Sequence, residues 1–151
     1  MPIYAHVIVS FVSCLGFGVL FNVQKRTLLL AAVNGSIGWT ILLVLDIPQV
    51  SYIFANLLSA MVVGLLAEVF AIIQKTPATS FIVIGVIPLV PGFRVYRSML
   101  FFVRGELDKG LADGVHSCFM AVAIAVGIIL ATSIVRMVRQ AHTDYIKKKI
   151  Q

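Results

Sequence analysis

Two prolines three residues apart, Pro88 and Pro91, followed by Gly92, Arg94, Tyr96 and Arg97, form the constellation in this 151-residue chain whose spacing suggests chemistry. They interrupt Thr79–Val103, a stretch that is otherwise almost wholly apolar. In a helix, Pro88 frees the carbonyl of Ile84 and Pro91 that of Ile87, because proline cannot donate the bond four residues back. Free backbone groups at membrane depth are tolerated only inside protein or around a polar cavity. At a rise of about 1.5 Å per residue the break lies roughly 14–20 Å from Thr79, around or slightly beyond the midplane of a ~30 Å hydrocarbon core. A second half-helix starting near Gly92 would turn its unpaired N–H groups and positive dipole end toward an anion. Arg94 and Arg97, on one face of that half-helix, would attract a carboxylate. Tyr96 would supply a hydrogen bond, and the freed carbonyls would accept from an ammonium. The plain alternative is a proline kink with both arginines snorkelling to the outer interface. Arginine inside a span is costly enough that a functional role is the default reading.

Other polar residues inside apolar runs are few. Glu68 is the carboxylate placed well inside a run, where it reads either as a proton-coupling acid or as an ion-pair partner of Lys75 about two turns away. Asn34 and Ser36, with Gly35, Gly38 and Trp39, make a small polar patch that suits helix packing or solute contact. Ser59, Ala60 and Gly64 form a similar close-packing stripe. His6, His116 and His142 are scattered, and Cys14 and Cys118 sit in apolar stretches where a thiol behaves as a small hydrophobe. No nucleophile arrangement, phosphate loop or metal-ligand spacing is present in the sequence. Neither an enzyme nor a bound metal or cofactor is therefore expected.

The elements that must position these residues follow from composition. The chain is 60% hydrophobic and 12% charged, with a mean hydropathy of +1.05, against roughly 45–50% apolar and 25% charged in soluble domains. A water-soluble core cannot absorb that apolar surface. Apolar runs at about 3–23, 27–46, 50–73, 79–103 and 114–136 are each close to the ~20 residues a crossing needs. The expected fold is an all-α integral membrane bundle of about five transmembrane helices in a single domain over 1–136. Its fourth helix is broken at Pro88-Pro91-Gly92, and a basic cytoplasmic tail covers 137–151.

Pro48 and Pro77 suit the first positions of the helices that follow them, and the connection from Arg104 to Asp113 is rich in glycine and both charge signs. The start of the chain lacks a basic, cleavable leader pattern, so the first run is expected to be a retained span. The net charge of +6 sits at the ends of apolar runs and not on one soluble face, which argues against nucleic acid. With five crossings, Lys25, Arg26, Lys75, Arg136, Arg139, Lys147, Lys148 and Lys149 fall on one side, and Arg94, Arg97, Arg104 and Lys109 on the other. The excess of positive charge places the N-terminus outside and the C-terminus in the cytoplasm of a multi-pass plasma (inner) membrane protein. An odd number of crossings also suggests half of an inverted-repeat transporter, needing a partner or a second copy.

The sequence resembles the small membrane subunit of the threonine/serine exporter family (ThrE-like, or YjjB-like) over nearly its whole length. The resemblance rests on Gly85-Val-Ile-Pro-Leu-Val-Pro-Gly92 followed by Tyr96 and Met99. It is supported by Phe21-Asn-Val-Gln-Lys-Arg26, Gly35-Ser-Ile-Gly38, and Gly64 to Glu68 before Lys75-Thr-Pro77. It implies a secondary exporter whose larger subunit carries the other half, either as a hetero-oligomer or fused in one chain, with self-association as the other arrangement. The solute it implies is a threonine/serine-type amino acid or a dicarboxylate such as succinate. Gln24 stands where many relatives carry proline, and Arg94 and Arg97 lie outside the family pattern, so their role rests on the physical argument. The competing expectation is a structural subunit that scaffolds a larger membrane complex without transporting anything.

Overall fold

The computed structural model describes residues 3–47 and 50–150, with side chains through residue 141. The helices are α1 (Ile3–Leu20), α2 (Lys25–Leu45), α3 (Tyr52–Gln74), α4 (Ala78–Val86), α5 (Gly92–Val103) and α6 (Leu107–Ile150), with a 3-10 turn, Ile87–Leu89, after α4. No strand occurs among the described residues. Helices α1, α2, α3 and α6 are each long and apolar enough to cross a bilayer, and α4 with its 3-10 turn makes with α5 a pair bent by 52°, a fifth span if the pair crosses as one. The all-α bundle with a broken fourth span is thus the fold that composition and proline placement predict. Pro48, expected to open the third helix, lies outside the described residues.

These helices invert the soluble pattern. On α3 most buried residues are small, Ala55, Ser59, Ala60, Gly64, Ala67 and Ala71 beside Asn56 and Val63, while Phe54, Val69, Ile72 and Ile73 face outward. In lipid the large apolar side chains gain nothing by hiding, so helices associate by close backbone approach along small residues. Helices α3 and α6 approach closely. A Cβ on Gly127 would stand 2.5 Å from the Leu57 carbonyl oxygen and 3.0 Å from the Met61 nitrogen, so only glycine fits. At the centre of the bundle, where Asn34 and Val63 mark the middles of α2 and α3, Gly85 of α4 is pressed against both side chains.

The bundle has two distinct ends. Lys25, Arg26 and Lys75 gather where α2 starts and α3 stops, and there Gln74 Nε2 donates to the Arg26 carbonyl at 2.8 Å. We refer to this as the basic end. Tyr52 opens α3 at the opposite, tyrosine end.

Two boundaries differ from the sequence expectation. The run at 114–136 lies inside a helix of 44 residues, because helix continues through polar residues once packing or favourable side-chain pairs support it. At its start Lys109 Nζ donates to Glu106 at 2.6 Å, a hydrogen bond that holds the Glu106 carboxyl below its ordinary range. The connection expected over Arg104–Asp113 shrinks to residues 104–106, turning on Gly105 at φ +79°. The start of α6 then packs directly on α5, where Ser98 Oγ donates to the Gly110 carbonyl at 2.6 Å.

Gly127→Ala is expected to destabilise the bundle by about 1–3 kcal/mol, the usual cost of overpacking a tight contact. Gly16→Ala, with nothing within 4 Å of the added carbon, is expected to be neutral or slightly stabilising. Thermal unfolding of both variants in one detergent tests this, and equal losses would refute the packing account.

Candidate functional site

Pro88 sits in the 3-10 turn, and the tighter winding re-pairs the groups it frees. The Ile84 carbonyl accepts from the cap N–H of Ile87 and from the Cys14 thiol at 3.7 Å. The Ile87 carbonyl accepts from Val90 N–H at 3.3 Å. Both carbonyls that the sequence offers to an ammonium group are therefore already engaged within the chain. This is the usual repair of a proline break by i→i+3 bonds. The chain then bends at Val90–Pro91, Gly92 N–H turns back to the Val90 carbonyl at 2.8 Å, and α5 starts with no side-chain cap.

A cavity of about 180 Å³ lies at the bend, between Trp39 of α2, Tyr52 of α3, the segment Pro88–Arg94 and Met120 of α6. The guanidinium of Arg94 stands 5.7 Å from the centre of the Tyr52 ring, within cation–π range. On the other side of Trp39 and Pro88 a further cavity of about 200 Å³ is lined by His6, Val9, Ser10 and Ser13 of α1. Because Gly85 marks the middle of the bundle and Tyr52 the end of α3, the cavity sits off-centre, toward the tyrosine end. The break is made by the 3-10 turn and one extended residue, Val90 (ψ 129°), before Pro91 turns the chain at ψ 49°.

The two arginines share Asp113 but are held differently. Arg97 Nε and Nη2 donate to the two carboxylate oxygens of Asp113 at 2.5 and 2.7 Å, a bidentate pair that fastens α5 to α6. Arg94 Nη1 is 4.0 Å from the same carboxylate and lines the cavity. Arg97 is thus held by its neighbour, while Arg94 is the cation presented to the cavity.

The remaining predicted residues are dispersed. Pro88, Pro91 and Gly92 line the cavity with Arg94, whereas Tyr96 points away and is 63% exposed. Asn34 is fully buried, its Nδ2 donating to the carbonyls of Val63 at 3.1 Å and Phe81 at 3.4 Å. Ser36 Oγ donates to the Val7 carbonyl at 2.9 Å and meets Ser10 Oγ at 3.1 Å, joining α2 to α1. Glu68 lies at the basic end and pairs with Arg139 at 3.2 Å, in place of the Lys75 partner weighed from sequence. Among the described residues no group of histidine, cysteine or carboxylate side chains is placed to hold a metal.

Sequence reasoning missed Asp113, Tyr52 and Met120, set His6 aside as a scattered histidine, and named Trp39 only as part of the small polar patch of α2. For Asp113 a signal existed. Gly110, Asp113 and Ser117 recur at helical spacing, and that face meets Arg94, Arg97 and Ser98 once α6 is allowed to begin before the apolar run.

Residues 6–134 match the model of the threonine/serine exporter family, ThrE. The chain belongs to that family. It is a multi-pass membrane protein of a transport family, and the whole of the broken span and its cavity lies inside the matched region. It is 26% identical over 106 residues to a probable threonine/serine exporter of Mycobacterium tuberculosis, covering 70% of this chain and 20% of that protein. It is 25% identical over 130 residues to an uncharacterized protein of Haemophilus influenzae, covering 79% of this chain and 43% of the other. The chain therefore spans less than half the length of either relative. No solved structure matches it.

If the Arg97–Asp113 pair fastens the α5–α6 hairpin, Arg97→Gln and Asp113→Asn should each lower the melting temperature in detergent. The double variant should lose clearly less than the sum of the two. Strictly additive losses would show that the pair is not coupled.

Proposed function

We propose that this chain is a subunit of a secondary exporter that moves a small carboxylate-bearing solute out of the cytoplasm by alternating access. The solute is a threonine/serine-type amino acid or a dicarboxylate such as succinate. What carries the reading is the cavity at the bend, where an arginine faces a space of solute size inside an otherwise apolar bundle.

Arg94 would hold the solute carboxylate, with Tyr52 limiting its position through the ring face. Trp39, Pro88 and Met120 shape the walls. Arg97 would serve through α5, keeping Arg94 in place by its grip on Asp113. Glu68, if it couples protons to export, would exchange its Arg139 partner for a proton as the basic end opens. The positive-charge excess supports an orientation with the basic end in the cytoplasm and the tyrosine end outside. A larger partner carrying the other half, or a second copy of this chain, would complete the translocation path, in keeping with relatives more than twice as long as the stretch they share with it.

A structural role in a larger complex is the second reading. It is favoured by one observation: Asn34 and Ser36, two of the polar residues offered to the solute, are used to join helices.

Efflux of labelled threonine, serine and succinate from loaded cells separates these readings. Deleting the subunit should abolish export of at least one solute. Arg94→Gln should reduce its initial efflux rate by tenfold or more with normal membrane levels of protein, and Pro91→Ala should impair it as well. Unchanged efflux of all three solutes after deletion would sink the transport reading. Intact efflux in Arg94→Gln, with loss only on deletion, would favour the structural one. Glu68→Gln should flatten the pH dependence of efflux, and an unaltered pH profile would remove Glu68 from coupling.

A further inference from the structure

The basic end carries a trough of about 920 Å³ between the end of α3, the start of α4 and the distal part of α6. We propose that it binds the phosphodiester headgroup of an anionic phospholipid from the leaflet at that end, an assignment that stands independently of the transported solute.

Three cations, Lys75, Arg136 and Arg139, and one carboxylate, Glu68, line the trough. Glu68 is paired with Arg139, and the described lining residues together carry a net positive charge of two. Thr76 also lines it, and its buried hydroxyl has no hydrogen-bond partner among the described residues. Pro77 caps α4 without any side-chain bond to the first turn, so the positive end of that helix faces the same space. Together these groups present a phosphate with charge, a hydroxyl donor and a favourable dipole.

Apolar side chains lie among these groups. Ala71, Ile72, Ala78 and Val135 also line the trough, and Ile72 and Ile73 continue outward as exposed hydrophobics, 57% and 67% accessible. A ligand with a charged head and an acyl chain matches both kinds of surface at once. A small zwitterionic solute does not, because among the described residues the trough has no carboxylate besides the paired Glu68 to meet its ammonium. Nor does the size suit such a solute: the trough has about five times the volume of the cavity at the bend. The setting agrees, since basic pockets between transmembrane helices at the cytoplasmic face are where anionic headgroups are held.

The test uses the full chain in nanodiscs or neutral detergent, titrated with phosphatidylglycerol. Expected are a rise in melting temperature and retained lipid adducts in native mass spectrometry, neither of which phosphatidylcholine gives. Lys75→Gln combined with Arg136→Gln should weaken phosphatidylglycerol binding at least tenfold. Lys75→Gly is the folding control: Lys75 holds a left-handed φ of 54°, which glycine adopts without strain, so this variant should fold normally yet bind less lipid. Lys25→Gln, at the same end but outside the trough, should bind like the parent protein. Equal weakening by Lys25→Gln would reduce the effect to bulk charge and overturn the assignment. Protection by inorganic phosphate alone, or by threonine, serine or succinate in place of lipid, would also overturn it.

Discussion

In a bilayer every backbone N–H and C=O has to find its partner within the protein, and the broken fourth span exists only because that condition is met locally. Pro88 and Pro91 remove two donors from the helix ladder. The 3-10 turn and the Cys14 thiol answer for them, and the buried flank of α4 against α2 and α3 keeps lipid away. Gly85 permits that burial, since any side chain there would collide with Asn34 or Val63. The bend and the centre of the bundle are thus one construction: the small residues bring α4 close, and the closeness makes a bend affordable at membrane depth.

From this follows a division between the ends. At the tyrosine end a compact cavity lies beside Arg94, with an aromatic ring on one side and a carboxylate at the edge of contact on another. At the basic end the helices part around a wider, cationic trough. Between them the middle of the bundle is closed by Val63, Asn34 and Gly85. A solute crossing this chain would have to move that closure, and Asn34, bonded to carbonyls of α3 and α4 at once, is the residue that ties the three helices together there.

Much of this was legible in the sequence, for physical reasons. Hydropathy alone marks five crossings, because the bilayer imposes a length on each. The break was legible because proline acts through its own missing N–H, whatever surrounds it. Pairings were harder. Whether Glu68 meets Lys75 or Arg139 depends on how α3 and α6 align, which neither helix reports by itself. Asp113 was read as part of a loop since the apolar run begins after it, although its helical spacing with Gly110 and Ser117 was there to see. Asn34 and Ser36 show the converse: polar residues inside a span look alike whether they touch solute or bond a neighbouring helix.

Helix α6 is one uninterrupted rod bearing Asp113 near its beginning and Arg139 far along it, about 39 Å apart at 1.5 Å per residue. Its first partner steadies the arginines of the bent span, and its second neutralises Glu68. Were α6 to turn as a rigid body, loosening its grip on α5 would shift the Glu68 contact as well, and the two ends of the bundle would be geared to a single shaft.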